Sequence, residues 1–293
     1  MRLGPLDPAQ LEAAQAVLAA ACVYDRAAEV AAEKLFGGSP RGTARALGAW
    51  DGDALVGVAG VSANRIRVLA VTPAARGRGV GSALLAACED HARADGETTL
   101  RTLDQPGNYL APGIDERNTA VIGWLARRGW AITGEPRENV LIAVRGNPRV
   151  TAARAADTAA ACATRGYEVR RARPDEDALL TAVATEFGGA WPFELGRALV
   201  APTGVHVAVQ GGAYCAVAAH DGNNRGLGWF GPTGTWPAHR GQGLGEALLL
   251  ACLVDVAADH DRCEVAWIGP RPFYEKVAGI VETRRFVLMT REL

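Results

Sequence analysis

Hydrophobic and polar positions change period along this chain in a fixed order, and the order occurs twice. In the first half, the spacing of Leu11, Ala14, Val17 and Leu18 is that of an amphipathic helix. The pattern predicts a short strand at 2–3, helices over 8–21 and 26–35, and strands over 44–50, 54–61 and 65–71. A glycine-rich loop then leads into a helix over 80–94, followed by a strand at 98–103, a helix at 119–128 and strands at 130–133 and 139–144. From Tyr167 the order repeats, with helices over 174–187 and 192–200 and strands over 205–210, 214–220 and 228–236. A loop helix over 244–258, a strand at 263–267, a helix at 272–278 and closing strands complete it. Strands and helices mixed in this way, with strand–loop–helix at the centre, predict an α/β (α+β) fold in each half.

The two halves align in detail around the loop. At a shift of 164 residues Pro73 meets Pro237, Arg76-Gly77 meets Arg240-Gly241, Gly79 meets Gly243 and Gly81 meets Gly245. Ala83-Leu84-Leu85 meets Ala247-Leu248-Leu249 in the same register. A weaker match at a shift of 150 sets Gly129 against Gly279 and Trp124 against Tyr274. The difference is an insert in the first copy, around 104–117, whose Pro and Gly content reads as a structured loop. These matches predict domains at 1–147 and 166–293, joined by a linker at 148–165 within an alanine-rich stretch.

Composition agrees with two packed cores. The chain has 293 residues, 49% hydrophobic and 22% charged, with a formal net charge of −1. The balanced charge and the absence of a dense basic run argue against nucleic acid as the main partner. Lys34 and Lys276 are the only lysines, so the positive charge is nearly all arginine. The six cysteines form no Cys-x-x-Cys pair, which disfavours a zinc site or a disulfide framework and predicts small buried thiols in a reducing compartment. Asp7, Glu12 and Gln15 interrupt the first apolar run, which is unlike a signal peptide, and no apolar stretch is long enough for a membrane span. A cytoplasmic protein without membrane contact is the expectation.

The repeated loop carries the chemistry. In Arg76-Gly77-Arg78-Gly79-Val80-Gly81-Ser82 and in Arg240-Gly241-Gln242-Gly243-Leu244-Gly245-Glu246, a helix N-terminus offers unpaired backbone N–H groups and partial positive charge. Glycines let that backbone approach a phosphate, and arginine adds charge-assisted hydrogen bonds. A Walker loop needs Gly-Lys-Ser/Thr, and neither copy has lysine there. The dinucleotide fingerprint needs a third glycine, and Ser82 and Glu246 stand at that place.

Arg-x-x-Gly-x-Gly after a strand and a proline resembles the acyl-CoA loop of the GNAT family of N-acetyltransferases, and the resemblance occurs once per half. It implies two tandem domains, each a mixed, mostly antiparallel sheet flanked by helices, and acetyl-CoA (coenzyme A) as cofactor. It implies that Leu69-Ala70-Val71 and Gly234-Thr235-Trp236 splay from the next strand and pair with the pantetheine arm. One of their N–H groups would stabilise the oxyanion of the thioester. It implies that the pyrophosphate lies on the N–H groups of residues 77–82 and 241–246, that Asn118 lies near the cofactor, and that Tyr274 is the acid for the departing thiolate.

The halves depart from the family pattern in different ways. Trp124 stands opposite Tyr274 and cannot act as a normal acid, while the second half lacks a counterpart of Asn118. Neither strand before the loop has the glutamate that many family members use as base; Asp115, Glu116, Asp221 and Glu264 are the remaining candidates, His239 precedes the second loop, and Trp191, Trp229 and Trp267 are candidates for a substrate cleft. The expectation is two CoA sites with transfer in the second half, by a monomer or homodimer, to a small-molecule amine such as an aminoglycoside, amino sugar, polyamine or amino-acid-like metabolite. Acyl-CoA sensing without turnover, transfer to oxygen and longer acyl groups stay open at this point. The tandem arrangement is similar to that of mycothiol synthase, with no motif for that enzyme's substrate.

Overall fold

A computed structural model describes residues 1–200 and 202–293. It divides the chain into two compact units, Met1–Arg137 with Arg285–Leu293, and Glu138–Arg284.

The first unit opens with β1 (Arg2–Pro5), α1 (Leu11–Ala21), α2 (Ala31–Phe36), β2 (Arg45–Asp51), β3 (Ala54–Ser62) and β4 (Arg65–Val71). It continues with α3 (Val80–Ala94), β5 (Thr99–Thr102), β6 (Ile114–Asp115), α4 (Thr119–Ala126) and β7 (Ala131–Ile132). The chain then forms β8 (Arg137–Ala143), α5 (Ala152–Ala163), β9 (Glu168–Arg171), α6 (Asp177–Glu186), α7 (Trp191–Ala198), β10 (Val205–Gln210) and β11 (Ala213–His220). The last elements are β12 (Trp229–Thr235), α8 (Leu244–Asp259), β13 (Arg262–Val265), α9 (Arg271–Val277), β14 (Glu282–Val287) and β15 (Met289–Glu292).

Both sheets are mostly antiparallel, with one parallel step each, β4 to β5 and β12 to β13. In the first unit the order is β1-β2-β3-β4-β5-β15-β7, and in the second β9-β10-β11-β12-β13-β8-β14. Alternation along the strands puts Leu47, Ala49, Ala59 and Val61 against α3, which brings Val80, Leu84, Leu85 and Cys88 to that core. In the second unit Ala208, Ala216 and Ala218 face α8, while Val205, Val207 and Val217 face α6 and α7.

The units divide the chain elsewhere than at 147 and 166. Residues 138–165 belong wholly to the second unit, and the last nine residues belong to the first. The reason lies in strand pairing. β8 pairs with β13, Cys263 opposite Ile142, and so belongs to the second sheet. β15 pairs with β5 and β7, and so completes the first. A short strand's side-chain pattern suits either sheet, so sequence order was the only available guide, and here it misleads. The alanine-rich stretch is a regular helix, capped where the Thr151 hydroxyl accepts from the Arg154 N–H, and it packs on α8. The insert is a packed segment, with Gln105 and Asn108 fully buried. Among the described residues no helix is long and apolar enough to cross a membrane, no cluster of ligating side chains could hold a metal ion, and all six cysteines are free.

Candidate cofactor and transfer site

Each sheet forks at its parallel step. β4 pairs with β5 only at Arg65–Arg101 and Ile66–Thr102, and β12 pairs with β13 only at Trp229–Glu264 and Phe230–Val265. Beyond those pairs the strands part, and one edge of Leu69–Val71 and of Thr233–Thr235 has no strand beside it. The Thr72 N–H donates to the Val56 carbonyl at 2.9 Å. Antiparallel alternation therefore turns Ala70 toward β3 and Leu69 and Val71 toward the opening. In the second unit the Trp236 N–H donates to the Cys215 carbonyl at 2.9 Å, which turns Gly234 and Trp236 toward β11 and Thr233 and Thr235 toward the opening. Of each predicted trio, then, not every residue faces the gap, and Thr233 is a gap-facing residue that pattern reading missed.

The loops are built alike. Gly77 and Gly79 take φ of +75° and +84°, and Gly241 and Gly243 take +78° and +80°. Side chains at such φ would be strained, so glycine is required for the turn into α3 and α8. Arg76 Nε donates to the Val71 carbonyl at 3.2 Å, and Arg240 Nε donates to the Thr235 carbonyl at 3.2 Å. Each of these arginines fastens the loop to its forked strand. The third glycine lies under an aromatic ring. A Cβ on Gly81 would touch Trp124 at 3.5 Å, and one on Gly245 would touch Phe273 at 3.6 Å. Trp124 and Phe273 are therefore the spatial counterparts, not Trp124 and Tyr274.

Around the loops the units differ. Gly77 and Gly79 have nothing within 4 Å of a Cβ position, and Arg78 reaches away to Asp51 at 2.8 Å. Arg128 lies over the Trp124 ring and donates to the Ser82 hydroxyl at 3.0 Å. At the second loop, Arg154 pairs with Glu246 at 2.7 Å, and Arg165 donates to the Gln242 carbonyl at 2.9 Å. Both arginines belong to the α5 region, and neither was singled out from sequence. The signal was that α8 is apolar on all sides (Leu250 and Leu253 are fully buried), which shows that a further element covers it.

Tyr274 is 4% exposed and packs edge-on to Phe230, the last paired residue of β12, with Cys263 of β13 nearby. Burial pushes its phenol up to about 12, so it stays protonated at neutral pH. Asn118 is half-buried at the start of α4, where its N–H donates to the Asp115 carbonyl and its side chain makes no capping bond. None of the base candidates is a free carboxylate. Asp115 pairs with Arg117 at 2.7 Å, Glu116 with Arg285 at 3.7 Å, Asp221 with His220 at 3.0 Å, and Glu264 with Arg284 at 3.1 Å. His239 Nδ1 lies 3.1 Å from the Tyr167 hydroxyl.

The sheet face turned to α2 in the first unit carries the insert. Lys34 Nζ, fully buried, donates to Asn108 Oδ1 at 2.9 Å and to the Tyr109 carbonyl at 3.0 Å, and Asn108 Nδ2 donates to the Glu33 carbonyl at 3.0 Å. On the corresponding face of the second unit, Gly234 lies under Phe187 and Trp191, whose rings stack at 4.7 Å, with Trp236 at 4.9 Å from Phe187. These three rings are half-buried. Trp229 is buried, and Trp267 is 42% exposed.

Residues 17–129 match the model of the acetyltransferase (GNAT) family. Among curated proteins none matches. A tandem GNAT protein from the clavulanic acid biosynthesis pathway superposes with a TM-score of 0.70 at 22% identity, over 99% of this chain and 98% of that one. A GCN5-related N-acetyltransferase from Sphaerobacter thermophilus gives 0.67 at 19% identity, over 99% and 95%. A GCN5-related glucosamine N-acetyltransferase region of a fungal multi-domain β-N-acetylglucosaminidase gives 0.76 at 16% identity; 99% of this chain is covered, and it spans 38% of that protein. At these identities the superpositions establish the fold, which is that of a tandem GNAT protein.

Proposed function

We propose, from the premise that this chain belongs to the GNAT acetyltransferase family through residues 17–129 and has a tandem GNAT fold, that it acetylates a small-molecule amine from acetyl-CoA, with transfer in the second unit. The observation that carries the choice of unit is the contrast at the two forks. The second has a protonated phenol, Tyr274, beside Phe230, the last paired residue of β12, and near Cys263 of β13; the first has the apolar Leu125 buried on α4 and Trp124 over its loop.

The residues present fit the cofactor. Exposed loop glycines at positive φ leave the N–H groups at the start of each helix approachable, and Arg76 and Arg240 have no carboxylate partner among the described residues. When bound, acetyl-CoA supplies an acetyl group activated as a thioester. Residues 77–82 and 241–246, with the side chains of Arg76 and Arg240 nearby, hold its pyrophosphate, Arg78 contributing its backbone while its side chain is turned to Asp51, and Asn118 borders it in the first unit. The gap-facing backbone of Thr233 and Thr235 aligns the pantetheine arm, and that of Leu69 and Val71 does so in the first unit. A gap-facing N–H steadies negative charge developing on the carbonyl oxygen.

The amine approaches from the Gly234 side, where the half-buried rings of Phe187, Trp191 and Trp236 border the open strand. A phenol as high as about 12 is a poor acid for full proton transfer, so Tyr274 acts as hydrogen-bond donor to the leaving sulfur. The proton lost by the amine ends on that sulfur, which closes the proton count. The first unit holds cofactor without turnover. A reducing, cytoplasmic setting and a monomeric or homodimeric state complete the proposal.

The test is an amine library screened for thiol release, with wild type beside Tyr274→Phe. The expected result is turnover on a subset of amines, with kcat in the variant lower by roughly two orders of magnitude and KM for acetyl-CoA little changed. Full activity in Tyr274→Phe would remove that residue from the reaction.

A further inference from the structure

We infer that α5, which lies outside the repeated pattern, is part of the second unit's cofactor site, and that Arg165 at its end is a ligand of the pyrophosphate. This rests on the reading of residues 241–246 as a CoA loop. α5 lies against α8, with Ala155 and Cys162 packed into the core that α8 shares with the sheet. It brings two arginines to the loop, and their surroundings give them different tasks.

Arg154 is fully engaged. It pairs with Glu246 at 2.7 Å and donates to the carbonyls of Val277 at 2.6 Å and Arg149 at 2.8 Å. Glu246 stands where the first loop has Ser82, and an uncompensated carboxylate there would repel a phosphate on the same helix terminus. Arg154 cancels that charge. Arg165 is different. One Nη donates to the Gln242 carbonyl at 2.9 Å, and the same nitrogen lies 3.6 Å from the Cβ position of Gly243. Among the described residues no carboxylate is paired with it, and its side chain is exposed. The guanidinium is thus pinned at the loop by one bond, with its remaining N–H groups and its charge unspent. A planar donor held that way suits two phosphate oxygens.

Among the described residues no counterpart of α5 packs on α3; at the first loop Arg128, just beyond α4, donates to the Ser82 hydroxyl at 3.0 Å, and the loop's own second arginine, Arg78, is turned to Asp51. Arg165 occupies at the second loop the role that Arg78 would have by sequence, since Gln242 replaces it there. The ligand class is a pyrophosphate-linked nucleotide.

Calorimetric titration of the full chain with CoA and with dephospho-CoA, in a Gly79→Glu background that disables the first loop, tests this. Arg165→Ala is expected to weaken both ligands by the same factor, roughly tenfold or more for a lost charge-assisted hydrogen bond, with Arg165→Lys recovering part of it. Melting temperature is expected to stay unchanged, because the side chain is exposed. Unchanged affinity in Arg165→Ala would overturn the inference, and so would a loss for CoA alone, which would place the contact at the 3′-phosphate. If the Gly79→Glu parent binds neither ligand, the reading of the second loop as a CoA site fails first, and the inference falls with it.

Discussion

The helices α3 and α8 begin with the same loop and end in different surroundings. From Gly79 onward α3 is amphipathic, with Ala86 and Asp90 in solvent. At the shift of 164, Ala86 becomes Leu250 and Asp90 becomes Val254; Leu250 is fully buried because α5 covers that side. One copy of the glycine loop begins a helix with one side in solvent, and the other begins a helix built under a second layer. A duplicated motif therefore fixes the shared backbone of the loop, while the residues one turn further along set the surroundings of each copy.

Several substitutions break or sharpen that contrast. The largest effect is expected in the first unit, where Asp104, 3% exposed, sits among Arg65 at 2.7 Å, Arg101 and Arg137 at 3.7 Å. Asp104→Ala leaves three arginines facing one another and should cost about 3–5 kcal/mol, read by urea unfolding of the first unit. Next, Leu250→Ala should cost about 2–4 kcal/mol by opening a cavity between α8 and α5, whereas Ala86→Leu on exposed α3 should be near neutral. Equal effects at both positions would remove the asymmetry.

The third test uses pH. At the far end of α8, Asp255 accepts from His206 at 2.7 Å and from His220 at 3.3 Å and pairs with Arg171 at 2.6 Å, and His220 also bonds Asp221 at 3.0 Å. Burial opposes charge on His220, but the two carboxylates outweigh it and hold its pKa at about 9 against an ordinary 6.5. Because the folded value is raised, this stabilisation is complete below pH 6.5 and is lost as pH rises through about 9. It amounts to roughly 3 kcal/mol at about 1.4 kcal/mol per pH unit. Melting curves between pH 6 and 10 should show the second unit losing stability first, and His220→Gln should flatten that dependence. The smallest effect is at Arg78→Ala, which breaks an exposed pair with Asp51 and should change stability by under about 1 kcal/mol.

Much of this was legible beforehand. The helix over 80–94 and the strand over 65–71 coincide with α3 and β4, because strong periodicity and a glycine boundary agree there. The duplicated loop follows from local pattern in the same way, whereas the forked strands were implied only by the family resemblance that the loop carries. The exchange of β8 and β15 did not, since neither strand's composition names its partner. Pairing Trp124 with Tyr274 was one residue off. Phe273 takes the ring position over Gly245, and Tyr274 turns inward to Phe230, a difference that only helix packing sets. Thr233 escaped notice because a strand's hydrogen-bonding side depends on register, and Arg165 because it lies far from the loop in sequence.

The central claim is that both loops hold CoA and only the second leads to transfer. It is tested most directly by pairing CoA stoichiometry with turnover in Gly79→Glu and Gly243→Glu, each of which puts a carboxylate and a strained φ into one loop. Wild type should bind two CoA per chain and each variant one, with turnover kept in Gly79→Glu and lost in Gly243→Glu. Turnover that survives in Gly243→Glu and disappears in Gly79→Glu would contradict the claim and move the reaction to the first unit.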